Sequence, residues 1–224
     1  MDAVATFRSA VSDLDTGLDQ QRRERPEIDF DHQPPPRKLA PYAAAIGAIV
    51  HEPGPGRGPG AGGRPAAADD ADTEIGWGSF VLLYDPAGQA GWDGPFRMIA
   101  YVRAELEPEI AADPLIGQVG WSWLTEALDA RTTGYRQTSG TVTRVVTEGF
   151  GAKQGQPVAT GFELRASWSP AEPDPARPAA SHRVPPDLGG HLAAWCDALC
   201  AASGLPPLPA GVSALRAPRP RRRP

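Results

Sequence analysis

Residues 96–106 read Phe-Arg-Met-Ile-Ala-Tyr-Val-Arg-Ala-Glu-Leu. Phe96, Met98, Ala100, Val102, Ala104 and Leu106 fall on one side of an extended chain, and Arg97, Ile99, Tyr101, Arg103 and Glu105 on the other. That period of two predicts a strand with one face in the core and an amphipathic opposite face. Upstream, Phe80-Val81-Leu82-Leu83-Tyr84 is a short apolar run between turn residues, as expected of a strand buried on both faces. The stretch Asp85–Pro95 between them is rich in Gly, Pro and Asp, so the two strands read as an antiparallel hairpin with an unusually long loop.

Periodic stretches flank this hairpin on both sides. Val4, Phe7, Val11, Leu14 and Leu18 recur at spacings of three and four, predicting an amphipathic helix over residues 2–18. Residues 19–36, charged and ending in three prolines, are expected to cross the surface without regular structure. Pro41 followed by Tyr42, Ala45, Ile46, Ile49 and Val50 predicts a second helix. Beyond Pro108, residues 121–134 predict a third, although Trp121 and Trp123 lie about 200° apart on a helix and cannot both face one core. One of them is expected at the helix entry. Residues 141–148 are rich in β-branched side chains, and Phe162, Leu164, Ala166 and Trp168 alternate with Glu163, Arg165 and Ser167, giving a second hairpin that turns at 151–157. Leu188, Leu192, Trp195 and Leu199 build a last helix ending at Gly204. The predicted order is α-α-β-β-α-β-β-α: an α+β fold with a four-stranded antiparallel sheet covered by helices on one face.

Gly and Pro number 25 and 26 of 224 residues and concentrate in residues 53–74, 170–186 and 206–224, which are expected to be disordered insertions and a tail. What remains divides into N-terminal helices over 1–52 that pack on an α+β core domain over 75–205. There is no asparagine, and only Lys38 and Lys153 among the 22 basic residues are lysine, a bias expected of GC-rich codons. Arginine counts therefore carry less functional information than usual. The net charge of −5 is uneven, because Arg216, Arg219, Arg221, Arg222 and Arg223 close the chain. Up to Leu215 there are 17 basic against 27 acidic residues, a net −10 that repels nucleic-acid phosphates from most of the surface. The longest apolar run, 43–50, is too short to span a membrane, the N-terminus lacks the features of a signal peptide, and two cysteines cannot form a disulfide framework. A cytoplasmic protein without membrane association is expected.

Several blocks carry a family resemblance: Leu39-Ala-Pro-Tyr-Ala-Ala-Ala45, Asp85-Pro-Ala-Gly-Gln89 with Trp92-Asp-Gly-Pro-Phe-Arg97, Tyr101-Val-Arg-Ala-Glu-Leu-Glu107, residues 119–130, and His191-Leu-Ala-Ala-Trp-Cys196. They resemble the uncharacterised actinobacterial domain of unknown function three thousand, and cover most of the chain outside the insertions. The resemblance implies an actinobacterial cytosolic protein. It implies no activity, cofactor or catalytic residue.

Gly58–Gly63 matches G-x-G-x-x-G in letters only, since it contains Pro59, follows no strand and opens no helix. No Walker A loop, HExxH, EF-hand or G-x-S-x-G elbow occurs. No catalytic residue, metal ligand or cofactor is assigned. Cys196 and Cys200 read as small buried hydrophobes, with a metal or redox role beside His191 as the alternative. The candidate binding residues are Asp85, Trp92 and Asp93 in the long loop and Arg97, Tyr101, Arg103 and Arg165 on the polar sheet face. Trp92 could instead fold back over the sheet with the aspartates making turn hydrogen bonds, and the arginines could form cross-strand ion pairs with Glu105 and Glu163. The leading expectation is a non-catalytic binding or adaptor domain that engages a protein partner. RNA binding through the arginine face and tail is the alternative, and a hydrolase using dispersed acidic residues is third.

Overall fold

A computed structural model describes residues 2–52, 73–171 and 187–205. Helix α1 (Ala3–Glu24) leads into strands β1 (Ile28–Gln33), β2 (Tyr42–His51), β3 (Glu74–Tyr84) and β4 (Phe96–Glu105). Helices α2 (Pro108–Ala112) and α3 (Ile116–Arg131), strands β5 (Tyr135–Thr147) and β6 (Ala159–Pro170), and helix α4 (Leu188–Ala202) follow. The strands form one six-stranded sheet in the order β1-β2-β3-β4-β6-β5, with every neighbouring pair antiparallel.

The α+β class and both expected hairpins are present, but the sheet has six strands rather than four. The predicted second helix is β2. Its apolar residues look helical in spacing because β2 buries residues of both faces, Ala45 in the small outer cluster and Ile46, Ala48 and Val50 in the main core. The expected irregular stretch 19–36 contains the last turn and a half of α1 and all of β1. Asp29 and Asp31, poor strand formers, hide β1 from a propensity reading, and pairing with β2 supplies what propensity lacks. Both tryptophans of α3 lie within the helix, not at its entry, and against expectation both pack half-buried on the one main core, over different strands. Trp123 meets the Phe162 ring at 5.5 Å, while Trp121 closes over β5 at Gly140, where an added Cβ would lie 2.6 Å from the indole. The insertions at 53–74 and 170–186 lie outside the described residues except at their borders, where β3 begins at Glu74 and β6 ends at Pro170, and the tail lies outside them altogether.

All the major helices pack on one face of the sheet. On that inner face the cross-strand rows Leu82–Met98–Trp168 and Phe80–Ala100–Ala166 meet α4, which is buried along nearly its whole length. Trp195 of α4 donates its indole N–H to the Tyr101 carbonyl, and Trp168 of β6 donates to His191 Nδ1, so both large rings satisfy their one donor. Helix α1 is held to α4 by Leu14 and Leu18 and by a buried ion network: Arg25 Nη2 reaches Asp197 at 2.7 Å, and Arg131 Nε holds the other oxygen of Asp197 at 2.7 Å.

Candidate functional site

Because the helices take the inner face, the opposite face of β3, β4, β6 and β5 is where the chain presents its chemistry. The loop 85–95 folds onto the start of this outer face. Gly88, Gly91 and Gly94 have φ of 71°, 83° and 97°, conformations that side chains disfavour and that let the loop turn back on itself. The turn places Trp92 against a small outer cluster of Ala45, Val81, Leu83 and Ile99. Asp85 serves the loop, accepting from the Ala87 N–H and from Gln89 Nε2, each at 3.0 Å. Gln89 also donates to the Leu39 carbonyl, tying the loop to the β1–β2 connection.

Asp93 and Arg97 meet through serines. The Asp93 N–H donates to Ser169 Oγ at 3.1 Å, and Arg97 donates to Ser167 Oγ at 2.7 Å and more weakly to Ser169 Oγ at 3.5 Å. Ser139 of β5 lies 3.5 Å from Ser167, oxygen to oxygen. The Asp93 carboxylate turns outward to Arg136 at 3.3 Å. Arg97 is only 8% exposed, and among the described residues no carboxylate comes within ion-pair distance of it. Burial lowers its pKa from the ordinary arginine value. The alternative reading of a solvated, ion-paired Arg97 gives way to a buried side chain held by hydroxyls.

Farther along the face, Trp77, Tyr101 and Arg165 form a continuous stack. The Trp77 and Tyr101 rings are 4.8 Å apart, and the Arg165 guanidinium lies 5.1 Å from the Tyr101 centroid. Glu163 fixes Arg165 at 2.8 Å and accepts the Tyr101 hydroxyl. Burial, then that hydrogen bond, raises the Tyr101 pKa, so the phenol stays protonated. Arg103 sits opposite Trp77 and Glu163 in register. An open groove of about 470 Å³ continues from this stack, bordered by Ile75, Trp77, Arg103, Glu105, Val145 and Gly161.

The proposed residues thus fall into two neighbouring groups, Trp92 and Asp93 of the loop with Arg97 beneath it, and Tyr101 and Arg165 in the stack with Arg103 alongside, while Asp85 stands outside both. Asp85, Asp93, Arg97 and Trp92 do not line the groove. Sequence reasoning did not single out Trp77, Arg136, Ser139, Ser167 or Ser169. The alternation of Ser167 and Ser169 about Trp168 was the available signal, since it places both on the face that carries Arg165.

The cysteine-bearing helix offers no comparable site. Burial pushes the Cys200 thiol up to about 12 and Cys196 well above the usual thiol range, so both remain protonated. His191 is committed to Trp168, and burial lowers its pKa to about 4. No group of three or more His, Cys, Asp or Glu placed to hold a metal occurs among the described residues, and no helix there is long and apolar enough to cross a membrane. The glycine-rich match at 58–63 and the arginine tail lie outside the described residues. Comparison with curated proteins gave no match, and comparison with solved structures gave none. A family model described as "Protein of unknown function (DUF3000)" matches residues 3–213, and the chain belongs to that family.

Proposed function

We propose that this DUF3000 chain is a non-catalytic binding domain that engages a partner protein through the outer face of its sheet. The observation that carries the reading is the exposed Trp77–Tyr101–Arg165 stack beside an open groove, on the one sheet face the helices leave uncovered. Aromatic and arginine side chains are the groups that dominate protein interfaces, because they bury large area at small entropic cost. Here Glu163 and Trp77 already hold Tyr101 and Arg165 in place, so little side-chain freedom remains to be lost on association. A catalytic role has less support, since three of the acidic residues near the face are occupied, Asp85 by its loop, Asp93 by Arg136 and Glu163 by Arg165, which leaves none of the three free to serve as a second carboxylate beside Glu105 at the groove border.

The test compares the wild-type chain with a Trp77→Ala/Arg165→Glu variant as bait in quantitative affinity capture from the native lysate, with and without ribonuclease. A protein enriched about tenfold on the wild type, insensitive to ribonuclease, and bound again when purified supports the reading. Equal capture by the variant overturns it. Enrichment that vanishes with ribonuclease and weakens steeply with salt replaces it with binding of single-stranded RNA on the same stack.

A further inference from the structure

We propose that Arg97, Ser139, Ser167 and Ser169, with Arg136 at the rim, form a binding site for a tetrahedral oxyanion of the phosphate class. The first ground is charge. Of the two guanidinium groups here, Arg97 and Arg136, only Arg136 has a carboxylate partner among the described residues, that of Asp93. One positive charge is left without a counter-charge among the described residues, on a side chain that is only 8% exposed. Buried charges are ordinarily paired, because hydroxyl dipoles replace lost hydration only in part.

The second ground is the direction of the hydroxyls. Ser169, fully buried, accepts from both the Asp93 N–H and Arg97 Nη1, which occupies its acceptor capacity and leaves its own O–H without an acceptor among the described residues. Ser167 accepts from Arg97 Nη2 and shares a 3.5 Å hydrogen bond with Ser139 in which either hydroxyl can donate, so one O–H of that pair is left to turn outward. A hydroxyl that accepts from a guanidinium is polarised to donate. Donors from β4, β5 and β6 therefore converge around one cationic centre, an arrangement that suits an anion with oxygens in several directions. The entrance lies on the side of Asp93 and Arg136, which are 42% and 61% exposed. An arriving anion takes the place of the Asp93 carboxylate on Arg136.

The site does not depend on the partner reading, and its test uses the isolated full-length chain. Inorganic phosphate is titrated at constant ionic strength against chloride, following the Arg97 Nε–H and Asp93 N–H resonances by NMR. Saturable shifts with a dissociation constant of about 0.1–10 mM are expected. A phosphoserine-containing tetrapeptide, titrated in parallel, separates the two sources: binding at least about tenfold tighter than phosphate assigns the site to a phosphate carried on a partner, and equal or weaker binding to the free ion. Absence of saturable shifts with both probes overturns the proposal, as does an unchanged phosphate affinity in Arg97→Gln. If that variant does not fold, Asp93→Asn decides the matter. Removal of the competing carboxylate is expected to tighten phosphate binding several-fold, and weaker or unchanged binding refutes the site.

Discussion

The buried histidine shows what a single side chain contributes and what its letter conceals. His191 near Cys196 resembles part of a metal-ligating set, yet its Nδ1 accepts from Trp168 Nε1 at 3.1 Å and the ring lies in the core. Burial holds its pKa at about 4, against a smaller raising effect of Asp187, whereas the unfolded chain titrates near 6.5. Between those values the unfolded state binds a proton that the fold does not, so stability is full above about pH 6.5 and falls as the pH drops toward 4. The loss reaches about 3 kcal/mol. Urea unfolding of wild type and His191→Asn at several pH values checks this: the variant keeps an acceptor for Trp168 and is expected to lose most of the slope between pH 4 and 6.5, and parallel profiles would refute the assignment. A second residue-scale prediction concerns Asp197, which holds Arg25 and Arg131 at 2.7 Å each. Asp197→Asn leaves Arg25, 2% exposed, with only Glu27 at 3.3 Å, and an expected loss of about 3–5 kcal/mol in urea unfolding. Neither partnership was legible in the sequence, because each joins residues far apart in the chain. The alternation of residues 96–106 showed that Arg97 shares a face with Tyr101. It could not show that a loop would bury Arg97 without a carboxylate.

At the scale of elements, backbone proximity decides where helices cross. Gly17 of α1 meets Gly189 of α4 so closely that a Cβ on Gly17 would lie 2.6 Å from the Gly189 Cα. Replacing a helical glycine by alanine ordinarily gains about 0.5–1 kcal/mol, because the unfolded chain loses freedom. At Gly17 the clash is with backbone and cannot be relieved by a rotamer change, so Gly17→Ala is expected to cost about 1–3 kcal/mol net. Gly117 of α3, where a Cβ meets nothing within 4 Å, is the control and should gain up to about 1 kcal/mol on the same substitution. Thermal melting of the two variants gives shifts of opposite sign if this account holds. Elements with a clean period were legible: β4, the β5–β6 hairpin, α1 and α4 all follow their patterns. Strand β2 was not, because a strand that buries Ala45 against the outer cluster and Ile46, Ala48 and Val50 in the main core loses its alternation, and its alanines imitate a helix. Strand β1 was lost for the converse reason, since its aspartates are tolerated only at the sheet edge next to β2.

For the molecule as a whole, the question is whether the glycine- and proline-rich residues between β2 and β3 take part in folding. The described ends supply the argument. Glu52 N–H donates to the Thr73 carbonyl at 2.9 Å, just beyond the last strand pair His51–Glu74, so the two strands approach as the arms of a hairpin up to the borders of the insertion. A four-residue turn can close arms that near. Replacing residues 54–71 by Asn-Gly flanked by single serines should therefore leave the sheet order intact. Because loop-closure entropy grows only with the logarithm of length, the shortened chain is expected to gain at most about 1–2 kcal/mol. Urea unfolding measures that gain, and amide spectra of β2 and β3 report whether the pairing persists. A loss of stability would mean that the replaced residues contribute contacts to the fold. The same variant separates architecture from function: the outer-face stack and Arg97 lie on β3, β4 and β6, so phosphate titration and partner capture should be unchanged, and a loss of either with the fold intact would assign the insertion a part in binding.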